Sequence, residues 1–143
     1  MKIKLLGAVV ACLFVGGCAP CMASGNKVLP DEVAVHAILG EALHDSESMR
    51  VMAHAIMNRY AKRGDLMGVY GLRVPMSRFD GKLRARALKA YKTALLDKVD
   101  PTKGATHWLS DYDLKHCKPK LTKFRFKMTE TLYQGQTHYY REA

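Results

Sequence analysis

The chain has 143 residues, of which 48% are hydrophobic and 25% charged, with a formal net charge of +10. That length allows one domain and too little for two good cores, and the composition excludes a disordered chain. The excess of 23 Lys and Arg over 13 Asp and Glu suits a polyanionic partner: nucleic acid, acidic lipid, or bacterial wall polymer with its carboxylates and phosphates.

Lys2 and Lys4 precede an uncharged apolar run, Leu5 to Val15, closed by Gly16, Gly17 and Cys18. A basic start, a short apolar run and small residues predict a secretory signal over residues 1–24, leaving a domain over 25–143. The run is too short for an ordinary membrane span. Val15-Gly16-Gly17-Cys18 is similar to a lipoprotein signal box, in which the cysteine is lipidated and anchors the chain to the membrane. A cut after Ala23 is the competing reading, and an uncleaved anchor is a third. Removing residues 1–17 takes two lysines from +10 and leaves +8, so the basic character belongs to the exported domain. Export places the protein in the periplasm or cell envelope and disfavours nucleic acid as its partner.

Four cysteines are present, and Cys12 lies inside the signal. If Cys18 is lipidated, Cys21 and Cys117 remain and can pair in an oxidising compartment. If the cut follows Ala23, Cys117 is alone. Cys18 and Cys21 have a zinc-like spacing but sit in the signal region. The six histidines show no ligand spacing, so neither metal nor cofactor is expected.

Pro30-Asp31-Glu32 opens a helix that runs to about Ala42, with proline and acids where a first turn tolerates them. Ala34, Ala37, Ile38 and Glu41 share its apolar face. Asp45 or Ser46 caps a second helix, on which Met49, Met52, Ala53, Ile56, Met57 and Tyr60 form a core stripe. Arg50, His54, Asn58 and Lys62 fall outside that stripe, and Gly64 stops the helix. Residues 65–81 read as a structured loop, in which Phe79 looks exposed unless the loop packs or binds something. Lys82 to Asp97 reads as a third helix. Its apolar face is Leu83, Ala87, Ala90, Tyr91, Ala94 and Leu95. Lys82, Arg84, Arg86, Lys89 and Lys92 form its other side: a solvated face, or a contact for an anionic polymer. Asp100 to Gly104 is a turn and 105–109 a short extended piece. Residues 111–119 read as loop. Phe124 to Leu132 and Thr137 to Tyr140 form a β-hairpin about Gln134-Gly135. The fold class is therefore α+β and mainly helical, with a small C-terminal β-hairpin.

Glu41 is the residue out of place. A carboxyl on an apolar stripe is costly unless paired or protonated. Taken alone, it reads as a helix-end glutamate bonded to a nearby arginine. The alternative is catalytic, since a half-buried carboxylic acid can donate a proton near neutral pH. No Gly-x-Ser-x-Gly elbow, phosphate loop or His-Glu-x-x-His is present. A lone glutamate at a helix end beside a small β-element suits glycoside cleavage, where one acid protonates the leaving oxygen. Asp45, Glu47 and Asp80 are the candidates for a second acid, and none has a convincing spacing. That favours attack by a hydroxyl of the substrate over attack by water. His107 and His138 both adjoin aromatics, and sugar stacking or a structural role suits them better than metal binding.

Several stretches in order carry a resemblance to a known family. Gly40-Glu41-Ala42 precedes Val51 to Arg59, an apolar helix ending in Asn58-Arg59. Ser77-Arg78-Phe79 follows, then Asp100-Pro101-Thr102-Lys103-Gly104-Ala105-Thr106-His107-Trp108, then Gly135 to Tyr140. This resembles the cell-wall hydrolase family of the spore-cortex-lytic (SleB-like) type over about Val33 to Arg141. The family's Gln-Phe-Ser loop is altered here, Lys103 stands for a glycine, and the loop after Trp108 is short. The resemblance implies a lysozyme-like domain that cleaves the glycan strand of peptidoglycan as a lytic transglycosylase or muramidase, acting as a monomer. It implies Glu41 as general acid and base. Ser77, Phe79, Thr106, His107, Trp108, His138 and Tyr139 would line or support the cleft. A non-catalytic peptidoglycan-binding or adaptor lipoprotein on the same fold is the alternative.

Overall fold

The computed structural model describes residues 27–117 and 127–143. The predicted signal, Cys18, Cys21 and the start of the predicted hairpin at Phe124 lie outside them. Cys117 is exposed. None of the described helices is long and apolar enough to cross a membrane.

The architecture is mainly helical α+β. Helix α1 spans Asp31–Glu41 and α2 spans Ser46–Arg63. Two 3₁₀ turns follow, Tyr70–Arg73 and Met76–Arg78, then α3 over Gly81–Leu96. Strand β1 (His107–Ser110) leads into a short α4 (Asp111–His116), and β2 (Met128–Gln134) and β3 (Thr137–Glu142) close the chain.

Several helix ends are set by local caps. Asp45 accepts a bond from Ser48 N at 2.8 Å, and Asp80 accepts one from Leu83 N at 2.8 Å, so both α2 and α3 begin on a carboxylate cap. Gly64 ends α2 with φ +77°, a left-handed turn that suits glycine. Residues 111–116 form a helix where the sequence reads as loop. Ser110 and Asp113 make a reciprocal capping box, which stabilises a helix too short for its periodicity to show.

Helices α1, α2 and α3 enclose the core. Ala34, Ala37, Ile38, Met49, Met52, Ala53, Ala87 and Tyr91 are all fully buried. The apolar stripe of α2 is wider than its periodicity predicts, because Val51, Ala55 and His54 are buried too. His54 tolerates burial because Asp97 accepts its Nε2 at 2.9 Å. Arg50 binds the same carboxylate at 2.5 Å, and these two bonds hold the Asp97 carboxyl below its ordinary pKa. Leu95, expected in the core, is 39% exposed. Phe79 is buried and packs edge-on against His44, so its loop does pack.

β1 joins the hairpin to make a three-stranded antiparallel sheet in the order β1-β3-β2. The turn residues Gly135 and Gln136 both have positive φ, 55° and 61°, as a two-residue hairpin loop requires. A Cβ at Gly135 would lie 2.5 Å from Ser48 Oγ, so the hairpin tip sits against the start of α2. The register pairs Trp108 with Tyr139 and Tyr139 with Leu132.

Candidate active site

Glu41 is the last residue of α1 and is half-buried. Its neighbour Gly40 lies against Gly71 in the first 3₁₀ turn. A Cβ at Gly40 would overlap the Gly71 backbone, and one at Gly71 would lie 2.7 Å from Glu41 Cγ. Two residues without side chains thus let two backbones touch. The contact aims the Gly71 N–H at Glu41, and it donates to Oε1 at 2.5 Å. The other oxygen, Oε2, accepts from the Trp108 indole N–H at 2.8 Å. Each carboxyl oxygen is therefore held by one donor from a different element.

Trp108 reaches Glu41 because β1 is anchored from α2. Asn58 Nδ2 donates to Asp100 Oδ2 at 2.8 Å, to Thr102 Oγ1 at 3.2 Å and to the Ala105 carbonyl at 3.2 Å. The Asp100 carboxylate also accepts from the Thr102 and Gly104 N–H groups. Its burial raises the carboxyl's pKa, but the bonds from Thr102, Asn58 and Gly104 outweigh that, and the net shift is downward.

Arg59, one residue on, is buried. It donates to the Thr106 carbonyl at 3.2 Å and to the Met67 carbonyl at 2.5 Å. Its guanidinium carbon lies 5.8 Å from the Trp108 ring centroid, within cation–π range. Burial, then the charge of Arg63, lowers its pKa from the ordinary arginine value. The adjacent pair Asn58-Arg59 thus pins both segments that flank Glu41. The sequence marks that pair only as the end of an apolar helix, and the task of each residue shows in its contacts.

Of the residues expected around the cleft, Trp108 bonds the Glu41 carboxyl directly. Ser77 is exposed on the second 3₁₀ turn. Phe79 and Tyr139 are 7% and 1% exposed, so they support the wall from behind. Burial raises the Tyr139 hydroxyl's pKa above its ordinary value. Thr106 is buried and bonds His107 Nδ1 at 2.9 Å. His107 Nε2 faces Arg63 at 3.1 Å, so burial, Arg59 and Arg63 together push its pKa down to about 4. His138 bonds Asp111 at 2.9 Å and Glu130 at 3.1 Å, and its ring lies 4.4 Å from that of Tyr133. The two histidines stand on neighbouring strands and have different partners.

The three candidates for a second acid have structural work. Asp45 and Asp80 cap helices, and Glu47 forms a fork with Arg50 at 3.0 and 3.1 Å. A cavity of about 640 Å³ lies between α1, the 3₁₀ turns and α3, lined by Val33, Val35, Leu72, Met76 and Leu88 among others. Glu41 is not among its lining residues.

Comparison with protein-family models, with curated proteins and with solved structures returns no match. The geometry around Glu41 therefore carries the functional reading.

Proposed function

We propose that the protein is an exported enzyme that cleaves the glycan strand of peptidoglycan, with Glu41 as general acid and base. The observation that carries this reading is the grip on Glu41. A half-buried carboxyl at a helix end has each oxygen fixed by a donor, Gly71 N–H and Trp108 Nε1–H. Such positioning is what proton transfer to a bound glycosidic oxygen requires. The sequence resemblance to spore-cortex-lytic (SleB-like) hydrolases, which implies a lysozyme-like fold, supports the same assignment.

In this reading Glu41, protonated, gives its proton to the oxygen bridging N-acetylmuramic acid and N-acetylglucosamine. The bond from C1 to that oxygen breaks, and positive charge develops at C1. The muramoyl 6-hydroxyl then attacks C1, and the Glu41 carboxylate takes the hydroxyl proton. The products are a 1,6-anhydro end and a free 4-hydroxyl, and Glu41 returns to its starting state. Asp45, Glu47 and Asp80 are engaged elsewhere, which favours this route over one that needs a second carboxylate. Export through the N-terminal segment, with Cys18 as a lipid anchor, would bring the enzyme to its substrate.

The test is digestion of purified sacculi by the wild type and by Glu41→Gln. The variant keeps one of the two hydrogen bonds through its amide oxygen, sets its NH2 against the other donor, and cannot transfer the proton. It should release no muropeptides, and mass spectrometry of the wild-type products should show anhydro ends. Wild-type turnover by Glu41→Gln would overturn the assignment. Binding to sacculi with no release by either protein would favour the non-catalytic adaptor.

A further inference from the structure

The basic side of α3 is not used by Glu41, and part of it borders a cavity. A cleft of about 210 Å³ lies between the first turn of α2 and the middle of α3. Ser46, Glu47 and Arg50 line it from α2, and Arg86, Lys89, Ala90 and Thr93 line it from α3. Glu47 is the sole carboxylate in that lining, and Arg50 forks onto it. Arg50 is in turn shared with Asp97.

Arg86 and Lys89 are different. Arg86 is exposed and donates to the His44 carbonyl, an uncharged partner. Lys89 is exposed, and among the described residues no carboxylate pairs with either side chain. Two uncompensated cations therefore face one small cleft, beside a serine hydroxyl. Lys82, also exposed and without a carboxylate partner among the described residues, extends the row. Positions 82, 86 and 89 fall within about 60° around the helix, and seven residues advance it by about 10 Å. A line of cations along one helix edge fits a linear polyanion better than a single small anion. The formal charge of +10 agrees in sign.

We propose that this cleft binds a phosphate group of a linear poly(polyol phosphate), with Arg86 and Lys89 as its cations and Lys82 contacting the next repeat. The site shares no residue with the Glu41 contacts, and its test does not read cleavage. The choice of a wall polymer over another polyanion rests on the export proposed above.

The experiment is an NMR and calorimetric titration of the full domain with inorganic phosphate and with poly(glycerol phosphate). Phosphate should shift the amides of Ser46, Glu47 and Lys89. The polymer should bind more tightly, and more weakly as salt rises. Lys89→Gln with Arg86→Gln should weaken polymer binding about tenfold, as expected for losing two exposed ion pairs. Lys89→Gln alone leaves the Arg86–His44 bond in place and should still weaken binding about threefold. Lys103→Gln with Lys127→Gln removes the same charge elsewhere and should change affinity less than twofold. Equal losses in the two double variants would reduce the effect to net charge and overturn the site. Phosphatidylglycerol vesicles binding as tightly as the polymer, with the same loss in Lys89→Gln, would overturn the choice of polymer.

Discussion

Gly40 and Gly71 touch backbone to backbone, and that contact delivers the Gly71 N–H to the Glu41 carboxyl. Neither position has room for a methyl group. In Gly71→Ala the new Cβ would lie 2.7 Å from Glu41 Cγ and 2.8 Å from the Gly40 carbonyl carbon. The backbones must part, at a cost of about 1–3 kcal/mol. Urea unfolding should report that loss. Sacculus digestion should fall further than the unfolded fraction accounts for, because the donor to Oε1 moves away. An unchanged rate in Gly71→Ala would show that the contact does not position the acid.

Trp108 offers a cleaner separation of packing from hydrogen bonding. Trp108→Phe keeps an aromatic ring beside Tyr139 and deletes the donor to Oε2. Stability should fall by about 1 kcal/mol, since the residue is half-buried and water can replace the indole. Turnover should fall about ten- to a hundredfold, the scale expected when a reacting group loses its orientation. A rate within twofold of wild type would leave Trp108 as a wall residue alone.

Arg59 is the residue whose task is least visible in sequence and plainest in structure. Arg59→Met keeps much of the volume but strips donors from the Thr106 and Met67 carbonyls. The expected cost is about 2–4 kcal/mol. Trp108 is the one tryptophan in the chain and lies 5.8 Å from the Arg59 guanidinium, so its emission should shift in the same variant. A stable Arg59→Met protein with unshifted emission would contradict the anchoring role.

The α2 helix is legible because its apolar periodicity, its Asp45 cap and its Gly64 stop agree with one another, whereas α1 and α3 are legible from their apolar faces. Glu41 stood out because one acid interrupted an otherwise apolar stripe. The grip on it was not legible, because its partners lie 30 and 67 residues away. A glycine's lack of side chain says nothing of what it faces. The 111–116 helix is not legible in the sequence because its reciprocal cap, not its periodicity, stabilises it. The burial of His54 is not legible either, because its partner Asp97 lies 43 residues away.

His107 and Glu142 should give the domain a two-step acid response. His107 has an ordinary pKa of 6.5 and about 4 in the fold, so the unfolded chain binds the proton first. Stability is therefore full above about pH 6.5 and declines as pH falls toward 4, by at most about 3 kcal/mol. Hydrogen bonds from Lys62 and Arg63 hold Glu142 at about 2 against an ordinary 4.5. Its contribution is present above 4.5 and is lost as pH falls toward 2. His107→Gln keeps a polar group near Thr106 and cannot be protonated. In urea unfolding at successive pH values, this variant should lose the first decline and keep the second. A decline between pH 6.5 and 4 that matches wild type would place the proton uptake elsewhere.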